Sequence, residues 1–170
     1  LPPSPALSIL LNGPESFKGR KVGVLVSDGV DIGLVKALKE AITAEGAMLE
    51  FVAPRVGGVK ASDGTFIEGD EKINGAPSVV YDAVAVLLSD DGAKLLSKEA
   101  TARDFVTDAF AHAKFIAYNK ESMPLLEKAC VAADMDGGFT ELKGPSDAKN
   151  FVQSCRKLRF WEREPKVKQV

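Results

Sequence analysis

Histidine is almost missing from this chain. A single imidazole, His112, among 170 residues excludes any centre that needs several histidine ligands. Two cysteines, Cys130 and Cys155, are too few for a disulfide framework, and free thiols and a single bridge both stay compatible with the sequence. Excess positive charge is missing too: 22 basic against 24 acidic residues give −2, with a pI near 5.5. No field exists to hold a phosphate backbone, so nucleic acid is not an expected partner. No apolar run reaches the roughly 18 residues of a membrane-spanning helix, and no basic segment leads into an apolar signal core. A membrane partner is therefore not expected, and cytoplasmic and secreted locations both stay open.

What the chain does have is a core. Its 45% hydrophobic content over 170 residues is enough for one domain. The proline-punctuated start, Leu1-Pro2-Pro3-Ser4-Pro5, and the short apolar patch Leu7 to Leu11 predict a linker or docking segment over 1–17. The absence of an initial Met adds the expectation of a processed product or a piece of a longer chain. Val22 to Val26 is an almost unbroken apolar run of the kind found in a central parallel strand covered on both faces. Leu34, Val35, Leu38, Ala41 and Ile42 then recur at helical spacing up to Gly46, and Met48 to Ala53 predicts the next strand. This βαβ opening implies a right-handed crossover and a parallel sheet.

Further on, Val56 to Ile67 with its Asp63-Gly64 turn predicts a small hairpin, and Ala83 to Leu88 a second core strand. Ser89-Asp90-Asp91-Gly92 is read as a polar stretch at that strand's end, with helical periodicity from Lys98 through Ala113. Phe115 to Tyr118 predicts a strand that turns through Asn119-Lys120-Glu121-Ser122 into a helix around Leu125 to Ala129. A terminal helix is expected over Asp147 to Leu158, and a charged tail over 161–170. The domain proper is placed at 18–160. Its class is α/β: a flavodoxin-like three-layer sandwich, mostly parallel, with helices on both faces and a small hairpin.

Open α/β sheets bind ligands outside the carboxyl ends of their strands. Three loops meet there: Ser27 to Asp31, Ser89 to Gly92 and Asn119 to Ser122. Asp28 and Asp31 would repel the phosphate of a flavin or nucleotide, so no such cofactor is expected. Cys130 is expected in the core or a short strand, and Cys155 beside Arg156 and Lys157 in an electropositive setting, each as an inert thiol. His112 suits a helix C-terminus. Asp134-Met135-Asp136-Gly137-Gly138 lacks the later Glu of a calcium loop and is expected to be a turn, leaving no metal site.

Val22 to Gly46 together with the Lys114 to Leu126 elbow resembles the class I glutamine amidotransferase-like superfamily, which includes intracellular cysteine peptidases and small chaperones. In that superfamily the elbow tip carries Cys, commonly followed by His, and an acid at the start of the first helix supports the thiol. Here those positions are Lys120, Glu121 and Asp31, so the resemblance implies a vestigial site that keeps its acid and has no catalytic residue. The side chains of Lys120 and Asp31 are expected within salt-bridge reach.

A second resemblance covers nearly the whole chain. Lys21-Val22-Gly23-Val24-Leu25-Val26-Ser27-Asp28-Gly29-Val30, Ala61-Ser62-Asp63-Gly64-Thr65, Gly75-Ala76-Pro77-Ser78, Tyr81-Asp82-Ala83-Val84 and Trp161-Glu162-Arg163-Glu164-Pro165-Lys166 follow in the order seen in the C-terminal flavodoxin-like domain of large-subunit haem catalases. It implies a parent enzyme that disproportionates hydrogen peroxide at a haem held elsewhere, and no cofactor in this domain. It also implies the catalase core of a tetramer as partner, a stabilising role, and a holdase-like role toward unfolding client proteins. Two other readings stay open: an independent cysteine hydrolase or deglycase, and a small-molecule regulatory domain.

Overall fold

The computed structural model describes Pro2 and residues 4–168. Residues 1, 3, 169 and 170, at the outer ends of the expected linker and tail, lie outside the described residues. Six parallel strands form the main sheet: β1 (Lys21–Val26), β2 (Met48–Ala53), β5 (Glu71–Lys72), β6 (Ala83–Leu87), β7 (Ile116–Tyr118) and β8 (Phe139–Glu141). Their spatial order is β5-β2-β1-β6-β7-β8, and the separate hairpin pairs β3 (Gly58–Lys60) with β4 (Phe66–Glu68). The expected mostly parallel α/β sandwich and its hairpin are both present.

From Val22 to Val26 and from Ala83 to Leu87 the two central strands are apolar because helices cover both of their faces. Val22, Val24 and Val26 of β1, with Ala83, Ala85 and Leu87 of β6, enter the layer held by α1 (Ile32–Ala44) and α5 (Pro145–Cys155). On the opposite face Leu25, Val84 and Val86 meet α2 (Asp90–Leu96), α3 (Ala100–Ala111) and α4 (Met123–Lys128). Gly23 faces that second layer, where a Cβ would lie 2.3 Å from the ring of buried Tyr81. Tyr81 therefore lies directly on the β1 backbone. Among the described residues no helix is long and apolar enough to cross a membrane.

Several sequence expectations are corrected. Ser89 to Gly92 opens a helix: the Ser89 hydroxyl accepts from the Gly92 amide at 3.1 Å, and Asp90 and Asp91 sit in the first turn, where acids suit the dipole. The next helix starts at Ala100, after the break at Ser97 to Glu99. Cys130 is neither in the core nor in a strand; it is exposed, with φ +58°, at the left-handed position that ends α4. Arg163, expected in a charged tail, is completely buried.

Arg163 is built into the body as a three-way joint. Its guanidinium donates to both Asp136 carboxylate oxygens at 2.8 Å and to the Lys114 carbonyl at 2.9 Å. The rings of Phe110, Phe139 and Phe160 surround it, with centroids 4.6, 5.1 and 5.6 Å away. A Cβ at Gly138 would come within 2.4 Å of the guanidinium, so only glycine fits there. Burial pulls Asp136 upward, but the Arg163 hydrogen bonds and the Gly138 amide outweigh it and hold the carboxyl below its ordinary value. Asp134 closes a 3-10 helix (Ala132–Asp134), Gly137-Gly138 turns into β8, and Asp136 between them anchors the C-terminal segment.

Lys114 is the other buried cation among the described residues, 1% exposed, and its ammonium donates to the carbonyls of Ser78 and Tyr81 at 2.5 and 2.6 Å. Burial, aided by the nearby Arg159 charge, lowers its pKa from 10.5 to about 8. The unfolded chain therefore holds one more proton than the folded chain between pH 8 and 10.5. Stability rises with pH through that window, and this contribution is lost as pH falls through about 8. Between pH 7 and pH 9.5 the unfolding free energy should rise by about 2 kcal/mol more than in Lys114→Met, as measured by urea titration. Parallel pH profiles for the two proteins would contradict this.

Candidate functional site

The carboxyl ends of β1, β6 and β7 are joined by side chains. The Ser27 hydroxyl accepts from the Ser89 amide at 2.9 Å, and the Ser89 hydroxyl donates to the Asp28 carbonyl at 2.6 Å. Asn119, buried at the start of the elbow, accepts from the Leu88 amide at 3.0 Å and donates back to the Leu88 carbonyl at 2.7 Å. The Ser122 hydroxyl donates to the Val86 carbonyl at 2.8 Å. Ser27, Asn119 and Ser122 are all buried; the Ser27 and Asn119 bonds answer the Ser89 and Leu88 backbone groups where the ladder ends, and Ser122 adds a second donor to the Val86 carbonyl, which also accepts from the Asn119 amide.

The expected elbow is present as β7, a 3-10 turn at Lys120–Ser122, and α4. Lys120 at its tip is exposed. Glu121 accepts from the Asn119 side-chain amide at 2.8 Å. Asp31 caps α1, accepting from the Gly33 and Leu34 amides at 2.7 and 3.4 Å. The expected pairing of Lys120 with Asp31 is not formed: neither residue takes part in any ion pair among the described residues. Asp31 is held by its own helix, and Lys120 extends into water, where a pair would contribute little.

At the carboxyl ends of β1 and β2, between the hairpin and α2, lies a crevice of about 240 Å³ bounded by Ser27, Asp28, Arg55, Asp91, Gly92 and Leu95, among others. Arg55 was not anticipated from the sequence, although it follows Pro54 just past the carboxyl end of β2 and so belongs to the same edge. It binds the Asp28 carboxylate at 2.8 Å, and that carboxylate also accepts from the Lys60 amide at 2.9 Å. The loop acid is thereby tied to the hairpin. Gly92 keeps the edge closed, since a Cβ there would fall 1.9 Å from the Ser27 hydroxyl oxygen.

Neither thiol reaches the elbow chemistry. Cys155 is buried in α5, and burial, reinforced by the Asp82 and Glu45 charges, pushes its thiol well above the ordinary value. The electropositive setting expected for it is absent because Arg156 turns outward to Glu45 at 2.8 Å. Both cysteines are free. His112 ends α3, where its Nδ1 donates to the Asp108 carbonyl at 2.8 Å. Among the described residues no group of three or more His, Cys, Asp or Glu side chains is placed to hold a metal.

Residues 18–165 match the family described as the C-terminal domain found in long catalases. The chain belongs to that family. It is 49% identical over 168 residues to Catalase C of Rhizobium meliloti (strain 1021), covering 99% of this chain and 24% of that protein. It is 32% identical over 177 residues to Catalase HPII of Mycobacterium avium, covering 95% of this chain and 25% of that protein. This catalase C-terminal domain thus spans about a quarter of the length of the curated relatives it matches. Its fold is similar to oxidized DJ-1 of Toxoplasma gondii, with TM-score 0.67 and 20% identity over 88% of this chain and 96% of that one. Drosophila melanogaster DJ-1beta gives TM-score 0.69 and 16% identity over 88% and 95% of the two chains.

If the edge is structural, its residues should divide sharply. Asn119→Ala leaves the Leu88 amide and carbonyl unpaired in the core and should cost roughly 2–4 kcal/mol, whereas Lys120→Ala should stay within about 0.5 kcal/mol. Denaturant midpoints of the two variants check this, and a larger loss for Lys120→Ala would reverse the assignment.

Proposed function

We propose that this chain is a non-catalytic accessory domain of a long catalase, and that it stabilises the assembled enzyme. The observation that carries the proposal is the elbow itself. Its tip bears exposed Lys120 in place of a nucleophile, while Ser27, Ser89, Asn119 and Ser122 are engaged in holding three strand ends together. Hydrogen peroxide disproportionation would then belong to the remaining three quarters of the polypeptide, together with its haem.

The aromatic and imidazole groups here do not fit a haem. Tyr81 is packed over Gly23 and edge-on to Phe105, Tyr118 lies edge-on to Phe139, and His112 is on an exposed helix end. No step of peroxide chemistry is assigned to them. A hydrolase or deglycase reading has no thiol at the elbow, and a regulatory reading has a crevice whose acid and base, Asp28 and Arg55, already neutralise each other. A holdase-like role of the separated domain is supported by one feature, the exposed apolar run Leu7, Ile9, Leu10 and Leu11.

The test uses a complete long catalase with and without residues 18–165. Deletion should leave turnover per haem unchanged at 25 °C and shorten the half-life of activity on heating several-fold. Loss of turnover per haem would overturn the non-catalytic assignment, and an unchanged half-life would overturn the stabilising one. For the holdase role, the separated chain added sub-stoichiometrically to a heated client enzyme should suppress its light scattering. Unaltered scattering removes that role.

A further inference from the structure

The segment ahead of the domain is ordered by its own polar groups while its apolar side chains point outward. The Asn12 side-chain amide donates to the carbonyls of Pro5, Ala6 and Ser8 at 2.8, 3.3 and 2.9 Å, and the Asn12 backbone amide donates to Ser8 at 2.9 Å. The result is a closed loop over residues 5–12. Leu7, Ile9, Leu10 and Leu11 on it are 82, 60, 68 and 71% exposed. A chain that satisfies its backbone locally and turns four large aliphatic side chains to solvent in succession presents a surface suited to being covered.

That loop borders a cavity of about 570 Å³, lined on its other side by Phe160 and Trp161 and edged by charged residues including Lys157 and Glu162. An apolar centre within a polar rim is the usual anatomy of a protein interface. The cavity lies at the amino-terminal edge of the sheet: the Phe160 amide donates to the Ala113 carbonyl ahead of β7, and Arg159 donates to the Asp82 carbonyl ahead of β6. It is on the opposite side of the molecule from the elbow.

We propose that the loop 5–12 and the cavity beside Trp161 form the surface on which the rest of the long-catalase polypeptide docks. The inference rests on the accessory-domain reading above. Two observations select this occupant. The family is a C-terminal domain and the chain accounts for only 24% of its R. meliloti relative, so the greater part of such a polypeptide precedes residue 18. The exposed loop lies in the segment that joins the two parts. A partner in the same polypeptide is present at an effective concentration that reaches the mM range for short flexible linkers, well above that of a free second copy or a dilute client.

The test is made on the complete enzyme. Leu10→Asp with Leu11→Asp should split a single cooperative melting transition into two, with this domain unfolding first. Val56→Asp, at an 86% exposed position in the β2–β3 turn, should leave it single. Hydrogen exchange of amides 7–12 should be slower in the complete wild-type enzyme than in the separated chain, and the double variant should remove the difference. A single transition with unchanged exchange in the double variant overturns the proposal. So does a dimer of the separated chain that the double variant dissociates, which would give the surface to a second copy. Binding of the separated chain to unfolding clients, with amides 7–12 equally fast in the complete enzyme, would give it to clients. Deletion of residues 18–165 separates the two levels: if deletion destabilises the enzyme and the double variant does not, this surface falls while the accessory role stands.

Discussion

The organisation of this domain depends on how the ends of its central strands are closed. A parallel sheet covered on both faces has no water at hand for the amides and carbonyls released where the ladder stops, and each one left unpaired costs on the order of 1–3 kcal/mol. Ser27, Ser89, Asn119 and Ser122 meet that demand at the carboxyl edge, the place where α/β folds usually position ligand-binding groups. A hydroxyl or amide fixed between two strands is not free to turn toward a substrate. The same bonds also exclude bulk: Gly92 is restricted to a hydrogen side chain by Ser27, which brings α2 tightly against the end of β1. The structural duty of these side chains and the lysine at the elbow tip both support the accessory role proposed above.

Much of this was legible in the sequence, and the legible parts share a cause. Val22 to Val26 and Ala83 to Leu88 are buried on both sides, so their hydrophobicity is unbroken and their identity as central strands is plain. The first helix carried its period and its Gly46 stop, with φ +73°. The strands that escaped notice are those at the edges. Glu71 and Lys72 of β5 are both exposed, which suits an unpaired edge and erases the apolar signal. Phe139–Glu141 has no fully buried residue. At the site, Asp31 was correctly placed at the start of α1, but a sequence does not say whether a carboxylate faces its own helix or a neighbour. Here the Gly33 and Leu34 amides, one turn away, take it.

Arg163 shows a different limit. Hydropathy treats a guanidinium as solvent-facing, so a segment with Trp161, Glu162, Arg163 and Glu164 looks like a polar tail. Arginine is the cation that tolerates burial best, because a planar fork can satisfy its donors on a carboxylate and carbonyls while its faces rest on aromatic rings. The partners come from distant points in the chain: Phe110 at the end of α3, Asp136 and Phe139 around β8, and Phe160 after α5. No local pattern brings them together. The cost of desolvating the pair means that such a joint is a better guide to how the C-terminal segment is fixed than to how stable the domain is.

That fixation bears on where an interface can form. A loop of aliphatic side chains has little specificity by itself, but residues 5–12 face a wall whose position is set by the Arg163 joint and by the Phe160 hydrogen bond to Ala113. A rigid wall limits the entropy lost when a partner settles on it, which is what allows a small apolar patch to bind with defined geometry. The wall stands at the amino-terminal edge of the sheet, away from the elbow, so docking there makes no demand on the loops that carry chemistry in other proteins of this fold. Lys120, Glu121 and Asp31 could then drift without disturbing assembly, whereas Gly138, with no room for a methyl group beside Arg163, could not.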